Sequence, residues 1–202
     1  MVDIPTLAAY DSRPGEFADR WDAQAPAKDL HDIIHRFFTV GPTAEIGCGS
    51  GRDAAWLMQQ GFPTIAFEPS AGLRDEARQR YPALRVEPKA LPELEGVPDG
   101  SFVNVLCETV IMHLPREAIG PSVRRLLSLL EPNGTLYLSW RVTREHDQRD
   151  EHGRLYTAFD RNIVEAELRG ATIMLNDEAV SESSGKVIHR IVARRNASSI
   201  EA

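Results

Sequence analysis

The sequence predicts an α/β fold: a doubly wound, mostly parallel seven-stranded sheet with helices on both faces and a C-terminal antiparallel hairpin. Three observations support this prediction. Apolar runs of strand length alternate with amphipathic helical patterns along the 202 residues. A glycine-rich turn follows the first strand of this alternation. Only the short polar segment 181–185 separates the last two strand-like runs, which favours a hairpin.

Seven segments have the length and composition of strands: residues 43–47, 63–70, 84–90, 102–110, 134–140, 171–180 and 186–195. The first five alternate with helical patterns, so right-handed crossovers should make them parallel. Their carboxyl ends then meet at one edge of the sheet, and that edge is where ligands of such folds bind.

Five segments carry helical spacing or helix-capping signals: residues 27–38, residues 53–60, a helix capped by Ser70, a helix from Gly120-Pro121 that stops before Pro132, and residues 159–170. They lie in the gaps between the predicted strands and should cover both faces of the sheet.

The predicted organisation is one α/β domain (27–196), preceded by an N-terminal extension (1–26) that could act as a lid and followed by a tail (197–202). The N-terminus lacks a signal-peptide pattern, and no apolar run approaches the roughly 18 residues of a membrane span. Two isolated cysteines favour a cytoplasmic protein without a metal site. A net charge of −7 disfavours nucleic-acid binding.

The stretch "AEIGCGSGRDAAWL" is the most informative part of the chain. Gly47, Gly49 and Gly51 stand at alternate positions, and Glu45 lies two residues before the first of them. A dinucleotide fingerprint would need glycine at the position of Arg52, and a P-loop would end in Gly-Lys-Ser/Thr. A nicotinamide-dependent oxidoreductase is therefore only a minor alternative.

The segment "EIGCGSG" resembles the first motif of the class I S-adenosylmethionine-dependent methyltransferases, and the resemblance extends over about residues 40–140. "LEPNGTLYLSW" is similar to their turn into the fifth strand, with Asn133 in place of a glycine. The resemblance implies methyl transfer from S-adenosylmethionine, with S-adenosylhomocysteine as product. No large recognition domain is visible, which favours a small-molecule acceptor.

The resemblance also implies specific cofactor contacts. Glu45 should reach the cationic amine of the cofactor, or it could instead tie down the loop by accepting backbone hydrogen bonds. Glu68 lies 21 residues after Gly47 and should bind the ribose hydroxyls. The expected contacts are Glu45, Gly47, Cys48, Gly49, Gly51, Glu68, Pro69, Ala90, Leu91 and Glu108.

Two positions depart from the family pattern. Lys89 stands where the family often has an aspartate that binds the adenine amino group, so the backbone of Ala90 and the side chain of Leu91 are expected to hold adenine instead. Val103 replaces an aspartate that commonly orders the glycine turn, a task that Asn104 or a water could take over.

His113 and Glu108 are the candidates for catalysis. His113 follows the fourth strand and could act as a general base near neutral pH, or it could simply pack or cap the loop. Glu108 could touch the acceptor or the methionine part of the cofactor. Cys48 is expected to be a small residue chosen for space rather than a nucleophile.

The polar segment 141–156 is either a lid over the acceptor or a solvated loop. Its arginines would favour an acceptor with a carboxylate or phosphate. The N-terminal segment could close the pocket or dock as a plain helix. The candidate acceptor contacts are Tyr10, Arg13, Arg141, Arg154 and Tyr156.

Several questions stay open at this point. The methylated atom is oxygen, nitrogen or sulfur, and the protein is a monomer or a homodimer. A cofactor-binding regulatory protein without catalysis is an alternative to an enzyme.

Overall fold

A computed structural model describes residues 2–197, and this part of the chain forms one mixed seven-stranded sheet and one small separate hairpin. The sheet contains β1 (Thr43–Ile46), β2 (Thr64–Phe67), β3 (Arg85–Glu87), β4 (Phe102–Cys107), β5 (Leu130–Arg141), β8 (Ala171–Val180) and β9 (Val187–Arg195). The small hairpin pairs β6 (Gln148–Arg149) with β7 (Leu155–Tyr156).

The strand order is β3-β2-β1-β4-β5-β9-β8. The first five strands in this order are parallel, and β9 lies antiparallel between β5 and β8. The predicted α/β sheet with its C-terminal antiparallel hairpin is therefore confirmed. The order reverses direction between β1 and β4, which places the switch point beside the glycine turn.

The helices are α1 (Ile4–Ser12), α2 (Pro14–Asp22), α3 (Lys28–Phe37), α4 (Arg52–Gln59), α5 (Ala71–Arg80), α6 (Arg116–Ser128) and α7 (Asn162–Glu167), with a 3₁₀ turn at Ile111–His113. Within the described residues, no helix combines the length and apolar character that crossing a bilayer requires.

The prediction for α6 was wrong about where the helix begins. It starts at Arg116, so Pro121 lies inside it. Proline removes one backbone donor, but the apolar face formed by Ile119, Val123 and Leu126 is fully buried and holds the helix on the sheet. The last helix is also shorter than the predicted 159–170.

Strand β5 begins earlier than predicted and includes the "EPNG" turn. Asn133 adopts a left-handed conformation with φ +66°, which asparagine tolerates better than most residues. The register with β4 shifts between Phe102 and Asn104 at this point. The expectation that Asn133 can replace a glycine in this turn is thus confirmed.

The two faces of β5 pack against different helices. Leu136 and Leu138 lie in the cluster that contains the buried face of α6, whereas Tyr137 packs with Ile34 of α3. The sheet is therefore covered on both sides, and its carboxyl edge remains for a ligand.

The N-terminal extension docks on the core as two helices. Asp11 of α1 accepts hydrogen bonds from the Ser70 hydroxyl (2.6 Å) and the Gly72 N–H (3.1 Å). Arg80 of α5 forms ion pairs with Asp19 and Asp22 of α2. Of the predicted tail, residues 198–202 lie outside the described part of the chain.

Candidate functional site

A cavity of about 390 Å³ lies at the carboxyl ends of β1, β2 and β4. This volume is within the usual range for small-molecule sites. Its walls come from the glycine turn, the strand ends, α1 and α2, the end of β5 and the turn between β8 and β9. The cavity therefore occupies the place where the parallel sheet is expected to bind its ligand.

The glycine turn needs glycine for local reasons. Gly47 and Gly49 have φ of +74° and +56°, a region that side chains rarely adopt. A Cβ on Gly47 would come 2.5 Å from the Val110 side chain, and one on Gly49 would come 2.9 Å from the Trp21 ring. Gly47 and Cys48 line the cavity, whereas Gly49 and Gly51 are not among the lining residues.

Glu68 connects the end of β2 to the glycine turn. One carboxylate oxygen accepts the Gly49 N–H at 3.0 Å and the other accepts the Ser70 N–H at 2.9 Å. Burial raises the pKa of Glu68 to about 7, although the two N–H donors favour the ionised form. Glu68 lines the cavity, so its remaining lone pairs can accept hydrogen bonds from a ligand hydroxyl.

Glu45 lies at the end of β1 with only 3% of its surface exposed. Burial, together with Asp53, raises the pKa of Glu45 well above its usual range. Within the described residues, its Oε2 atom has no hydrogen-bond partner. A buried acceptor without a partner is costly, and a cationic group in the cavity would satisfy it.

The expected adenine wall also lines the cavity. Pro69, Ala90 and Leu91 are among the lining residues, and Leu91 is buried. Lys89 lines the cavity too, but its ammonium donates to the Glu95 carbonyl at 2.6 Å. The hypothesis that Asn104 orders the glycine turn was wrong, because its side-chain N–H donates to Thr39 and Thr43 at the amino end of β1.

His113 links the 3₁₀ turn to the N-terminal helix. Its Nδ1 lies 2.5 Å from the Leu155 carbonyl, which can only accept, so Nδ1 carries the proton. Its Nε2 lies 3.2 Å from the Tyr10 hydroxyl. Burial lowers the pKa of His113 to about 4, so the ring is neutral near pH 7 and accepts the Tyr10 hydrogen bond.

Glu108 follows β4 and is partly exposed to the cavity. The Ser139 hydroxyl donates to its Oε2. Burial raises the pKa of Glu108 to about 7. The Tyr137 side chain also hydrogen-bonds to this carboxylate. A carboxyl with this pKa can accept a proton near neutral pH. The geometry therefore favours Glu108 over His113 for that task.

Four of the five candidate acceptor residues line the cavity: Tyr10, Arg141, Arg154 and Tyr156. Arg13 is not among the lining residues. It lies between α1 and α2, and its guanidinium is 3.7 Å from Glu16. The side chains of Arg13 and Glu16 are both more than half exposed, so this ion pair lies on the outside of the N-terminal extension.

The arginines that line the cavity differ in their partners; they are Arg20, Arg52, Arg141 and Arg154. Arg154 is bound to Asp150 (2.8 Å) and Tyr10 (3.2 Å), and its guanidinium lies 4.8 Å from the Phe17 ring centroid. Arg141 lies over the Tyr156 ring at 4.9 Å and has no carboxylate partner within residues 2–197. Arg52 is paired with Asp53, whereas Arg20 lies 3.4 Å from the His152 Nε2 atom. Arg141 and Arg20 are therefore the lining arginines without a carboxylate partner among the described residues, and Arg141 is the one at the end of β5.

The turn after β8 was missed by the sequence reasoning. Ser181, Ser183, Ser184 and Lys186 line the cavity. No local signal in the sequence places this turn, because its position follows from the antiparallel pairing of β9 with β5. The predicted C-terminal hairpin did not include the parallel strand with which it pairs, which is β5.

The strand order, the glycine turn after β1 and the acid after β2 together define a class I methyltransferase fold. Residues 44–138 match the methyltransferase domain family. This match agrees with the resemblance of the sequence to the class I S-adenosylmethionine-dependent methyltransferases.

Curated relatives match part of the chain. It is 27% identical over 132 residues to the ubiquinone biosynthesis O-methyltransferase of Xanthomonas campestris pv. campestris. The match covers 59% of this chain and 54% of the relative, so the chain spans about half the length of the curated relatives it matches.

Solved structures share the whole fold. The 1,6-didemethyltoxoflavin-N1-methyltransferase of Burkholderia thailandensis, with bound 1,6-didemethyltoxoflavin and S-adenosylhomocysteine, superposes with a TM-score of 0.75 at 20% identity, covering 96% of this chain and 88% of that one. The magnesium protoporphyrin IX methyltransferase of Synechocystis PCC 6803, with bound S-adenosylmethionine, has a TM-score of 0.69 at 18% identity and covers 97% and 99%. The [4+2]-cyclase SpnF has a TM-score of 0.65 at 15% identity and covers 84% and 80%.

Proposed function

We propose that this protein binds S-adenosylmethionine in the cavity and transfers its methyl group to a small-molecule acceptor. The observation that carries the proposal is the pair of buried acids, Glu45 and Glu68, on either side of the glycine turn. Glu45 offers an unpartnered oxygen to a cation, and Glu68 offers lone pairs to hydroxyls. The cofactor has an amine and a ribose, so this donor set fits it.

In this proposal each wall of the cavity holds one part of the cofactor. Glu45 binds the amine, Glu68 binds the ribose, and Pro69, Ala90 and Leu91 pack against adenine. When bound, the cofactor supplies a methyl group on a sulfonium, which is a good leaving group for a nucleophile in line with it. The protein's main contribution is then alignment, an effect on the order of 7–11 kcal/mol.

Glu108 is the proposed general base. An alcohol or amine acceptor must lose a proton, and the Glu108 carboxylate, held in place by Ser139 and Tyr137, can take it. His113 is proposed to position Tyr10 rather than to take the proton, because both ring nitrogens are already engaged. A thiolate acceptor would need no base.

A small acceptor is favoured by the volume of the cavity, about 390 Å³, and by the net charge of −7, which disfavours nucleic acid. Tyr10, Phe17 and Trp21 of α1 and α2 cover the cavity, and we propose this extension as its lid. The relatives named above act on small molecules by their names. Two buried free cysteines support a reducing, cytoplasmic location. The proposed oligomeric state is a monomer or a homodimer.

The alternative is cofactor binding without methyl transfer. It deserves a test because one fold neighbour is named a cyclase rather than a methyltransferase. Calorimetric titration should show binding of S-adenosylmethionine and S-adenosylhomocysteine but not of NADH. Transfer of a labelled methyl group should then be screened over phenols, amines, thiols and carboxylic acids. Binding without transfer to any of them would favour the alternative, and no binding would reject both functions.

A further inference from the structure

We propose that the end of the cavity beyond Glu108 is an anion site, in which Arg141 and Lys186 bind the carboxylate or phosphate of a planar acceptor. This inference rests on the proposed function and adds the chemical class of the acceptor. The site consists of the last residue of β5 and the turn between β8 and β9.

Strand pairing brings the two cations to the same face of the sheet. Arg141 is opposite Ile188, and the Ser181 N–H donates to the Lys186 carbonyl at 2.9 Å. Residues opposite each other in a ladder share a face, as do residues two apart along a strand. Arg141, Ile188 and Lys186 therefore lie on one face, and all three line the cavity.

The charges of the cavity are distributed unevenly between its two ends. Its acids belong to the cofactor end: Glu45, Asp53, Glu68 and Glu108. Within the described residues, Arg141 and Lys186 have no carboxylate partner, whereas Arg154 is paired with Asp150. Two cations that the fold leaves unpaired beside a cavity attract an anionic ligand.

The turn that precedes Lys186 is held by hydrogen bonds within it. The Ser184 N–H donates to the Ser181 hydroxyl oxygen at 3.3 Å, and the hydroxyls of Ser181 and Ser183 are 3.1 Å apart. Ser181 is buried. The backbone from which the Lys186 side chain extends is thus fixed by the fold, which reduces the backbone entropy lost on binding.

Aromatic rings line the space between the proposed base and the proposed anion site. Tyr156 lies under the Arg141 guanidinium, and its ring centroid is 4.9 Å from that of His113. The rings of Tyr10 and Phe17 also line the cavity, and they meet edge to face with their centroids 5.0 Å apart. Flat apolar surfaces of this kind favour stacking of a planar ligand.

The spacing suits a small ligand. Ser139, which holds Glu108, and Arg141 are two residues apart on β5, or about 7 Å. An acceptor that reaches both the base and the anion site therefore needs no more than one or two rings.

The test uses the full-length protein with defined probes. 3,4-Dihydroxybenzoate, its neutral methyl ester and phenyl phosphate are titrated by calorimetry, both with and without saturating S-adenosylhomocysteine. We expect one of the two anions to bind about tenfold or more tightly than the ester, since charge-assisted hydrogen bonds are strong. The better of the two anions identifies a carboxylate or a phosphate acceptor.

Variants of Arg141 and Lys186 then test whether these residues cause the preference for anions. Arg141→Gln should remove about tenfold of the anion affinity, and Arg141→Lys should restore part of it. Lys186→Gln should cost about threefold, because this lysine is more exposed. Arg194→Gln is the matched control, since Arg194 is an exposed arginine on the same strand that does not line the cavity.

The inference is overturned if neither anion binds more tightly than the ester at millimolar concentration, or if Arg194→Gln weakens the anions as much as Arg141→Gln does. The titrations without S-adenosylhomocysteine keep this result separate from the proposed function. Loss of S-adenosylhomocysteine binding alone would reject the function but leave the anion preference measurable.

Discussion

The two ends of the cavity are built in different ways. The cofactor end uses residues 45–68 and the neighbouring strand ends, whose positions follow from the parallel sheet. The acceptor end joins α1, α2, the segment 141–156 and the turn 181–186, which are far apart in sequence. Local sequence therefore determines where the cofactor end lies, whereas docking between distant segments determines the acceptor end.

The ends also differ in how their charges are satisfied. Glu45 and Glu68 at the cofactor end are buried acids with raised pKa values. Arg141 and Lys186 at the acceptor end are cations without carboxylate partners among residues 2–197. This contrast suits a cofactor with a cationic amine and a different, anionic ligand beside it.

The largest expected effect is at the glycine turn. Gly49→Val places a branched side chain at φ +56° and against the Trp21 ring, so we expect unfolding free energy to fall by roughly 2–4 kcal/mol. Because the Gly49 N–H also holds Glu68, affinity for S-adenosylhomocysteine should fall at least about a hundredfold. Calorimetry and thermal unfolding measure the two effects.

Gly100→Val is the control for backbone strain alone. Gly100 has φ +64° and nothing lies within 4 Å of an added Cβ. This variant should lose stability but keep its affinity for S-adenosylhomocysteine. Normal affinity in a folded Gly49→Val variant would remove the glycine turn from the cofactor end.

The position of the proposed cofactor end follows from the sequence because its signals are local. Three alternating glycines and an acid 21 residues later are readable without contacts, and the parallel strands bring them to one edge. The sequence did not predict the hydrogen bond from the Gly49 N–H to Glu68, because the spacing of residues along the chain does not define the geometry of a loop.

The acceptor end resisted prediction for the opposite reason. Arg141, Arg154 and Arg13 look alike in sequence, but their partners decide their roles: Tyr156, Asp150 and Glu16, respectively. Pairing of β9 with β5 brings Lys186 to the cavity, and no local pattern announces that pairing. The Pro121 error in α6 has the same origin, because burial of the helix face outweighed a local signal for a helix start at Gly120-Pro121.

The second effect, smaller than that of Gly49→Val, concerns the proposed ribose contact. Glu68→Ala should weaken S-adenosylhomocysteine binding by roughly 1.5–3 kcal/mol, the range for hydrogen bonds to a charged group. Glu87→Ala, at the end of β3 and outside the cavity lining, should leave binding unchanged. Calorimetry compares the two variants.

A cofactor analogue without ribose hydroxyls separates the contact from the structural role of Glu68. With this analogue, Glu68→Ala should reduce the binding affinity by a smaller factor. Neither the wild type nor the variant can form hydrogen bonds between Glu68 and ribose hydroxyls that the ligand lacks. An equal loss with both ligands would mean that Glu68 only holds the glycine turn through Gly49 and Ser70.

The smallest expected effect is the pH dependence of cofactor binding. Burial raises the pKa of Glu45 above its usual range and that of Glu68 to about 7, so Glu68 is partly protonated in the free protein near neutral pH and Glu45 holds a proton more readily than an ordinary glutamate. A bound ammonium and bound hydroxyls favour the carboxylates, so binding should release protons. Affinity for S-adenosylhomocysteine should fall about two- to tenfold from pH 7.5 to pH 6, while its α-amino group stays mostly charged.

Stability of the free protein should move in the opposite direction. A carboxyl with a raised folded-state pKa contributes stability below its unfolded value, and this contribution is lost as pH rises through the folded pKa. The Glu45→Gln variant should therefore lose less stability than the wild type as pH rises above the usual titration range of glutamate, and its affinity should depend less on pH. Calorimetry in buffers of different ionisation enthalpy counts the released protons. Tighter binding at pH 6 than at pH 7.5 would contradict an acid-lined cofactor end and erase the contrast with the cationic acceptor end.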